Sequence, residues 1–308
     1  MIRFAPLMML AGAAWAAPPP VDIDTAAKIY QAAEIREQVR ASLGSMPVHV
    51  REMLARDVSA KLSDEQLAAV TAAAERGFRI DVFEAPALVA LAQHLDTSTV
   101  TKSLAFLGSD LGKRMVGDDV AVAQLGDANI DKVMGGELAP PTTAKRDALI
   151  DRLERATRST ESTVQVFLSM GEAVAVGTAI GSGLDRKSIE ERVQKSGEAN
   201  RAELEESMRV PMRRFLAYAY RDLSDADLKH LLAFLESPPG VRYVTAYNAS
   251  MGAGYDAMGR RTGEHLGESL RELAQAQLDA SPANRVPSEI NPSPDSLPPA
   301  PAPRPERP

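Results

Sequence analysis

Four histidines, at positions 49, 94, 230 and 265, are the side chains in this sequence best suited to hold zinc or to move a proton near neutral pH. A zinc site built on one helix needs two histidines a turn apart with a carboxylate beside them. His49 has Glu52 close by and His265 has Glu264, but no histidine stands four residues from either, so the sequence predicts no metal ligand and no cofactor. The acidic pairs Asp118-Asp119, Glu190-Glu191 and Glu205-Glu206 are adjacent in sequence and would point about 100° apart on a helix. They read as solvated faces, not as acid–base couples. Gly252-Ala-Gly254 follows a helical stretch instead of a strand and lacks the lysine and hydroxyl of a phosphate loop, and no Gly-x-Ser-x-Gly elbow occurs. Cysteine is absent, which removes thiolate catalysis, disulfides and a lipid-modified N-terminus. No catalytic residue is assigned.

Two patterns remain. Tyr243, Tyr247, Met251, Tyr255 and Met258 form a stripe at helical spacing, and five of the six tyrosines lie between 218 and 255. Rings with one polar end and adaptable thioethers suit a surface that is greasy on one side and wet on the other, so the stripe is a candidate groove for an apolar peptide or lipid; the plainer reading is a core stripe. Gly259, Gly263 and Gly267 recur every four residues, and Gly177 and Gly181 repeat the spacing elsewhere. A helix face without side chains lets another helix approach closely, inside the bundle or across a homodimer, against a propensity cost of about 1 kcal/mol per glycine.

The elements that must carry these residues are helices. Apolar steps of three and four run through Leu67, Val70 and Ala74, through Ala87, Leu91 and Leu95, and through Met208, Met212, Phe215 and Ala219, while strand alternation is nowhere sustained. Ser63-Asp-Glu-Gln66 matches a capping box and Ser224-Asp-Ala-Asp227 is a close variant. Val164 to Leu184 is apolar but broken by Gln165, Glu172 and four glycines, which predicts a buried bundle helix or helix pair, not a membrane span. Gly135-Gly136 and Pro140-Pro141 mark a linker over residues 134–145.

On either side of that linker the sequence repeats. Leu95, Leu104-Ala-Phe-Leu107, Ser109, Gly112, Arg114 and Val116 lie over Leu223, Leu232-Ala-Phe-Leu235, Ser237, Gly240, Arg242 and Val244 at a constant offset of 128 residues. Ala32 and Ser45-Met46 lie over Ala156 and Ser169-Met170 at an offset of 124. The expected architecture is therefore all-α, a tandem duplication of a multi-helix bundle unit, with copy one over 17–133 and copy two over 146–280. Each copy encodes a tight corner in which a helix ends at Phe-Leu, a serine caps the next helix and a glycine allows close passage. Pro238 or Asp110 opens that next helix. The tyrosine stripe is not shared: Met115, Asp119, Ala123 and Asp127 stand 128 residues before its first four members.

The stretch Leu228 to Gly240, with Phe234, Ser237, Pro238 and Gly240 after an acidic helix start, resembles exported Gram-negative proteins grouped as domain of unknown function 2059. The likeness is clearest over residues 222–280 and fainter over 95–130. Leu235 stands where an aromatic is usual, and copy one lacks the proline. The resemblance implies a helical periplasmic domain and brings no activity or catalytic residue with it.

The N-terminus reads the same way. Arg3, an apolar run and Ala14-Trp-Ala16 make a signal peptide over residues 1–16, which leaves no transmembrane segment after cleavage and points to the periplasm or secretion. Residues 281–308 are too rich in proline to fold and predict a disordered tail, either a spacer or a docking strip for another envelope protein. A net charge of -7 without a basic stripe argues against nucleic acid. The expectation is a non-catalytic periplasmic binding or interaction module. An envelope hydrolase with a site assembled only in three dimensions, and a purely structural assembly protein, stay open beside it.

Overall fold

The computed structural model describes residues 20–43 and 63–280. The expected signal peptide, the proline-rich tail, His49 and the Ser45-Met46 part of the sequence repeat lie outside the described residues. Among those described, every regular element is a helix: α1 (Ile23–Ala32), α2 (Ile35–Leu43), α3 (Asp64–Glu75), α4 (Ile80–His94), α5 (Thr97–Leu107), α6 (Asp110–Ala123), α7 (Asp127–Gly135), α8 (Ala144–Thr157), α9 (Ser159–Gly181), α10 (Arg186–Ala219), α11 (Asp225–Leu235) and α12 (Pro238–Ala280). The chain is all-α, as its periodicity predicts.

Local chemistry sets the helix ends. Ser63 and Ser224 open α3 and α11 with reciprocal capping boxes, their hydroxyls accepting the Gln66 and Asp227 amides while those side chains accept the serine amides. Gly136 closes α7 in the left-handed region at φ 96°, so the helix-free stretch is shorter than the expected linker, running from there to Thr143, which caps α8.

Residues 124 and 128 apart do the same work. Glu34, between α1 and α2, and Arg158, between α8 and α9, are the non-glycine residues with positive φ among those described, at 49° and 55°. Each bends the chain sharply between two helices. At the later corners, Ser109 donates to the Phe106 carbonyl at 2.6 Å and accepts the Gly112 amide at 3.1 Å, while Ser237 donates to the Phe234 carbonyl at 2.6 Å and accepts the Gly240 amide at 3.2 Å. The packing repeats as well. α1 lies on α4 and α5 as α8 lies on α10 and α11, and α2 meets α6 as α9 meets α12.

The two halves join about these corners. Phe106 and Phe234, 128 residues apart, stack with centroids 4.1 Å apart and planes 7° from parallel. Arg114 of α6 binds Asp227 at 2.8 Å, and Arg242 of α12 reciprocates on Asp96, the cap of α5. The main core spreads through both halves, with Phe83, Ile29, Leu91, Leu231, Leu232 and Met258 fully buried. Each such side chain contributes about 1.5–3 kcal/mol. Arg146, held to 14% exposure at its side chain, ties α8 to the turn between α10 and α11 by donating to the carbonyls of Tyr220 at 2.6 Å and Leu223 at 2.9 Å.

α12 is the spine, about 65 Å long at 1.5 Å per residue. Its first half packs on α4 and α5, and its second half on α9 and α3.

Candidate functional site

The tyrosine stripe is where the expectation of an open groove fails. Tyr243 is 6% exposed and Met258 fully buried, and Tyr247, Met251 and Tyr255 pack on the same core. The stripe faces the N-terminal helices, and α2 supplies what water would have supplied. The Tyr247 hydroxyl donates to Gln38 Oε1 at 2.7 Å, and that of Tyr255 pairs with Ser42 Oγ at 3.1 Å. Gln38 and Ser42, one helical turn apart on α2, serve rings two turns apart on α12. Phe83 meets Tyr255 edge-on at 5.3 Å, and Phe234 sits 6.0 Å from Tyr243. A ring with its hydroxyl satisfied inside the protein is a core residue.

The glycines meet each other. A methyl on Gly263 would lie 2.8 Å from the Thr178 nitrogen and 2.9 Å from Gly177 Cα, and one on Gly267 would lie 2.7 Å from the Ser182 nitrogen and 2.8 Å from Gly181 Cα. Gly259 faces Met170 and Ala173 of α9 in the same row. α9 and α12 therefore cross backbone to backbone within one chain, with a small satellite core of Val70, Ala74 and Leu266 alongside. α9 is long and apolar enough to cross a membrane by length and composition, but its glycine face lies against α12.

The acidic pair Asp118-Asp119 is half-buried instead of fully solvated. The two residues lie on α6 at the seam with the second half, and Tyr220 donates to Asp119 Oδ1 at 2.7 Å. Burial pushes the Asp119 carboxyl up to about 7, against the opposing pull of the Tyr220 hydrogen bond. Burial also raises Asp118, with Asp222 adding repulsion, and Asp118 Oδ2 is enclosed with no hydrogen bond to the protein. Burial, with the Asp119 charge second, lifts the Tyr220, Tyr243 and Tyr247 hydroxyls far above the usual phenol range. In sequence, Asp119 stands 128 residues before Tyr247, at the offset of the sequence repeat.

An open concavity lies elsewhere. Two troughs of about 500 and 680 Å³ share Gln165, Ser169 and Arg201 and run together between α9, the first half of α10 and the middle of α12. Charges along them are mostly matched. Arg158 holds Glu161 at 2.8 Å, Arg260 holds Asp256 at 3.1 Å, and Arg201 donates to Gln165 at 2.6 Å with Glu205 at 3.8 Å. Phe167, 62% exposed, stands on the wall. Gly171, Gly197 and Gly252 line the troughs from three different helices; a methyl would meet nothing within 4 Å at Gly171 and Gly252, and only the tip of Leu168 at 4.0 Å at Gly197.

Among the described residues no group of three or more histidines and carboxylates is placed to hold a metal ion. His94 and His230 are exposed, and His265 pairs with Glu268 at 3.3 Å on α12. Among the described residues, the perturbed ionisable groups lie away from these two troughs. Comparison with protein-family models, with curated proteins and with solved structures gives no match to this chain.

Proposed function

We propose that this chain is an exported, non-catalytic binding module that receives a polypeptide segment of another envelope protein in the trough between α9, α10 and α12. The observation that carries the reading is the glycine lining. Gly171, Gly197 and Gly252 each sit inside a helix, where glycine costs about 1 kcal/mol against alanine, and among the described residues nothing fills the space they leave, Leu168 alone reaching 4.0 Å from Gly197. Three helices bare their backbones toward these adjoining troughs, Gly171 and Gly197 in one and Gly252 in the other. A ligand with its own amide and carbonyl groups fits a wall of paired arginines, carboxylates and amides, and the missing side chains let it approach closely. α9's apolarity favours a lipid as the competing occupant.

A photoreactive benzophenone side chain at Phe167, installed in the native cell, is expected to give a polypeptide adduct that the same probe at Val241, exposed on the far end of α12, does not give. Gly171→Leu fills the trough and is expected to remove the adduct while leaving the melting temperature in place. A lipid adduct replaces the polypeptide reading, and equal labelling from both probes ends it.

The rest of the proposal is address and descent. Export rests on Arg3, the apolar run and Ala14-Trp-Ala16, and N-terminal sequencing of the protein recovered from the periplasmic fraction is expected to begin at Ala17. A cytoplasmic product beginning at Met1 contradicts it. Membership in the domain of unknown function 2059 group and a tandem duplication are proposed together. The paired positive-φ bends at Glu34 and Arg158, the paired serine-capped corners and the self-stacking of Phe106 on Phe234 support the duplication.

A further inference from the structure

We propose that the trough between α9 and α10 takes a lysine or arginine side chain of the incoming polypeptide, an inference that rests on the polypeptide reading above and names what that polypeptide carries. This first trough, of about 500 Å³, combines an apolar floor with unspent acid. Leu168 of α9 and Val193 of α10 are half-buried and line it, and Phe167 stands exposed beside them. The two helices run antiparallel here, since Gln165 meets Arg201 while Leu168 comes nearest to Gly197. Glu172, one turn beyond Leu168 on α9, and Glu198, next to Gly197 on α10, therefore stand on opposite walls of the same trough.

These two carboxylates are not neutralised within the described chain. Glu198 accepts a hydrogen bond from the neutral amide of Gln194 at 3.1 Å, and neither Glu172 nor Glu198 forms an ion pair with a described residue. Arg201, the one cationic side chain in the described lining of this trough, donates to Gln165 at 2.6 Å and lies 3.8 Å from Glu205, which lines the second trough. Lys195 of α10 is exposed and lies outside the lining.

That combination selects among ligand side chains. Lysine and arginine lay an aliphatic stem on apolar surface and bring a charged head to carboxylates, and the head is also attracted to an aromatic face such as that of Phe167. A purely apolar side chain would cover Leu168 and Val193 but draw water off the two carboxylates without replacing it, and an acidic one would be repelled. Among the described residues no third histidine or carboxylate joins the pair to hold a metal ion.

The test uses the full chain and a fluorescent glycine-serine peptide with arginine at every third position, compared with the same peptide carrying leucine or glutamate there. Anisotropy is expected to show the arginine peptide binding more tightly than both. Glu172→Gln with Glu198→Gln is expected to weaken it about tenfold, as the loss of two exposed charge pairs allows. Glu191→Gln with Glu203→Gln removes the same charge from exposed positions of α10 outside both troughs and is expected to change binding by less than about twofold. Neither double variant breaks an ion pair within the described chain, so both should keep the wild-type melting temperature. Equal weakening by the two double variants overturns the inference, because net charge alone then explains the binding; so does tighter binding of the leucine peptide, or no binding of the arginine peptide. The photoprobe at Phe167 separates this result from the trough itself. A polypeptide adduct that persists undiminished in the Glu172→Gln, Glu198→Gln background overturns the cation and leaves the trough reading standing, whereas no adduct in either background removes both.

Discussion

Gly263→Leu is expected to lower stability by at least about 3 kcal/mol, the upper part of the range for overpacked sites, which corresponds to roughly 10 °C in melting temperature for a domain of this size. Its first carbon would overlap the Val174 carbonyl oxygen and lie 2.8 Å from the Thr178 nitrogen. These are backbone atoms of a helix, so no rotamer change relieves the overlap; α9 must leave α12. Losing that crossing exposes Ala173, Val176 and Leu266 and uncovers the satellite core on α3. Gly171→Leu is the matched control, since it lies on α9 with nothing within 4 Å. It is expected to leave the melting temperature unchanged or slightly raised. Circular dichroism on both variants decides, and equal losses sink the crossing as the cause. Because all five ladder glycines meet inside one chain, the mass by light scattering should not change when Gly263→Leu is still folded.

How far the sequence reaches can be argued from the same residues. The ladder at Gly259, Gly263 and Gly267 and the notch at Gly177 and Gly181 are both visible as spacings, because i, i+4 periodicity is a property of one helix. That they face each other is a property of two helices and is written nowhere in either. The tyrosine stripe shows the difference more sharply. Its helical spacing is legible, but which side of it is wet depends on Gln38 and Ser42, some 200 residues away, whose polar atoms occupy the hydroxyls. Asp118-Asp119 misleads for a related reason. Adjacent acids on a helix are normally solvated, and only the arrival of Tyr220 encloses one of them. The corners are the opposite case. A capping serine, a glycine and a Phe-Leu helix end act within a dozen residues, so their geometry is local and their repetition could be read directly. The open trough had no such signal, since a glycine that makes room for something absent looks like any other helix glycine until the neighbours are known.

The corners also give the sharpest test of what holds the halves together. Gly240→Ala replaces a poor helix former with the best one, a gain of about 1 kcal/mol at an unobstructed site. Here the methyl would overlap the Phe234 carbonyl oxygen and lie 2.7 Å from its carbon and 2.8 Å from Leu235 Cα, all backbone of the preceding helix. The corner must open, which pulls Phe234 off Phe106 and Arg242 away from Asp96. A net loss of about 2–3 kcal/mol is expected in urea denaturation, as for other overpacked sites. Gly112→Ala meets the same obstacle at Phe106 and Leu107 and should lose a similar amount, whereas Gly117→Ala, one turn and a half further along α6 with nothing within 4 Å, should gain stability. The pair Gly112→Ala and Gly240→Ala should be less than additive, because the Phe106–Phe234 stack is shared and can be lost only once. Strict additivity would mean that each corner supports only its own half. A Gly240→Ala midpoint as high as that of Gly117→Ala would mean that the close approach is not needed at all.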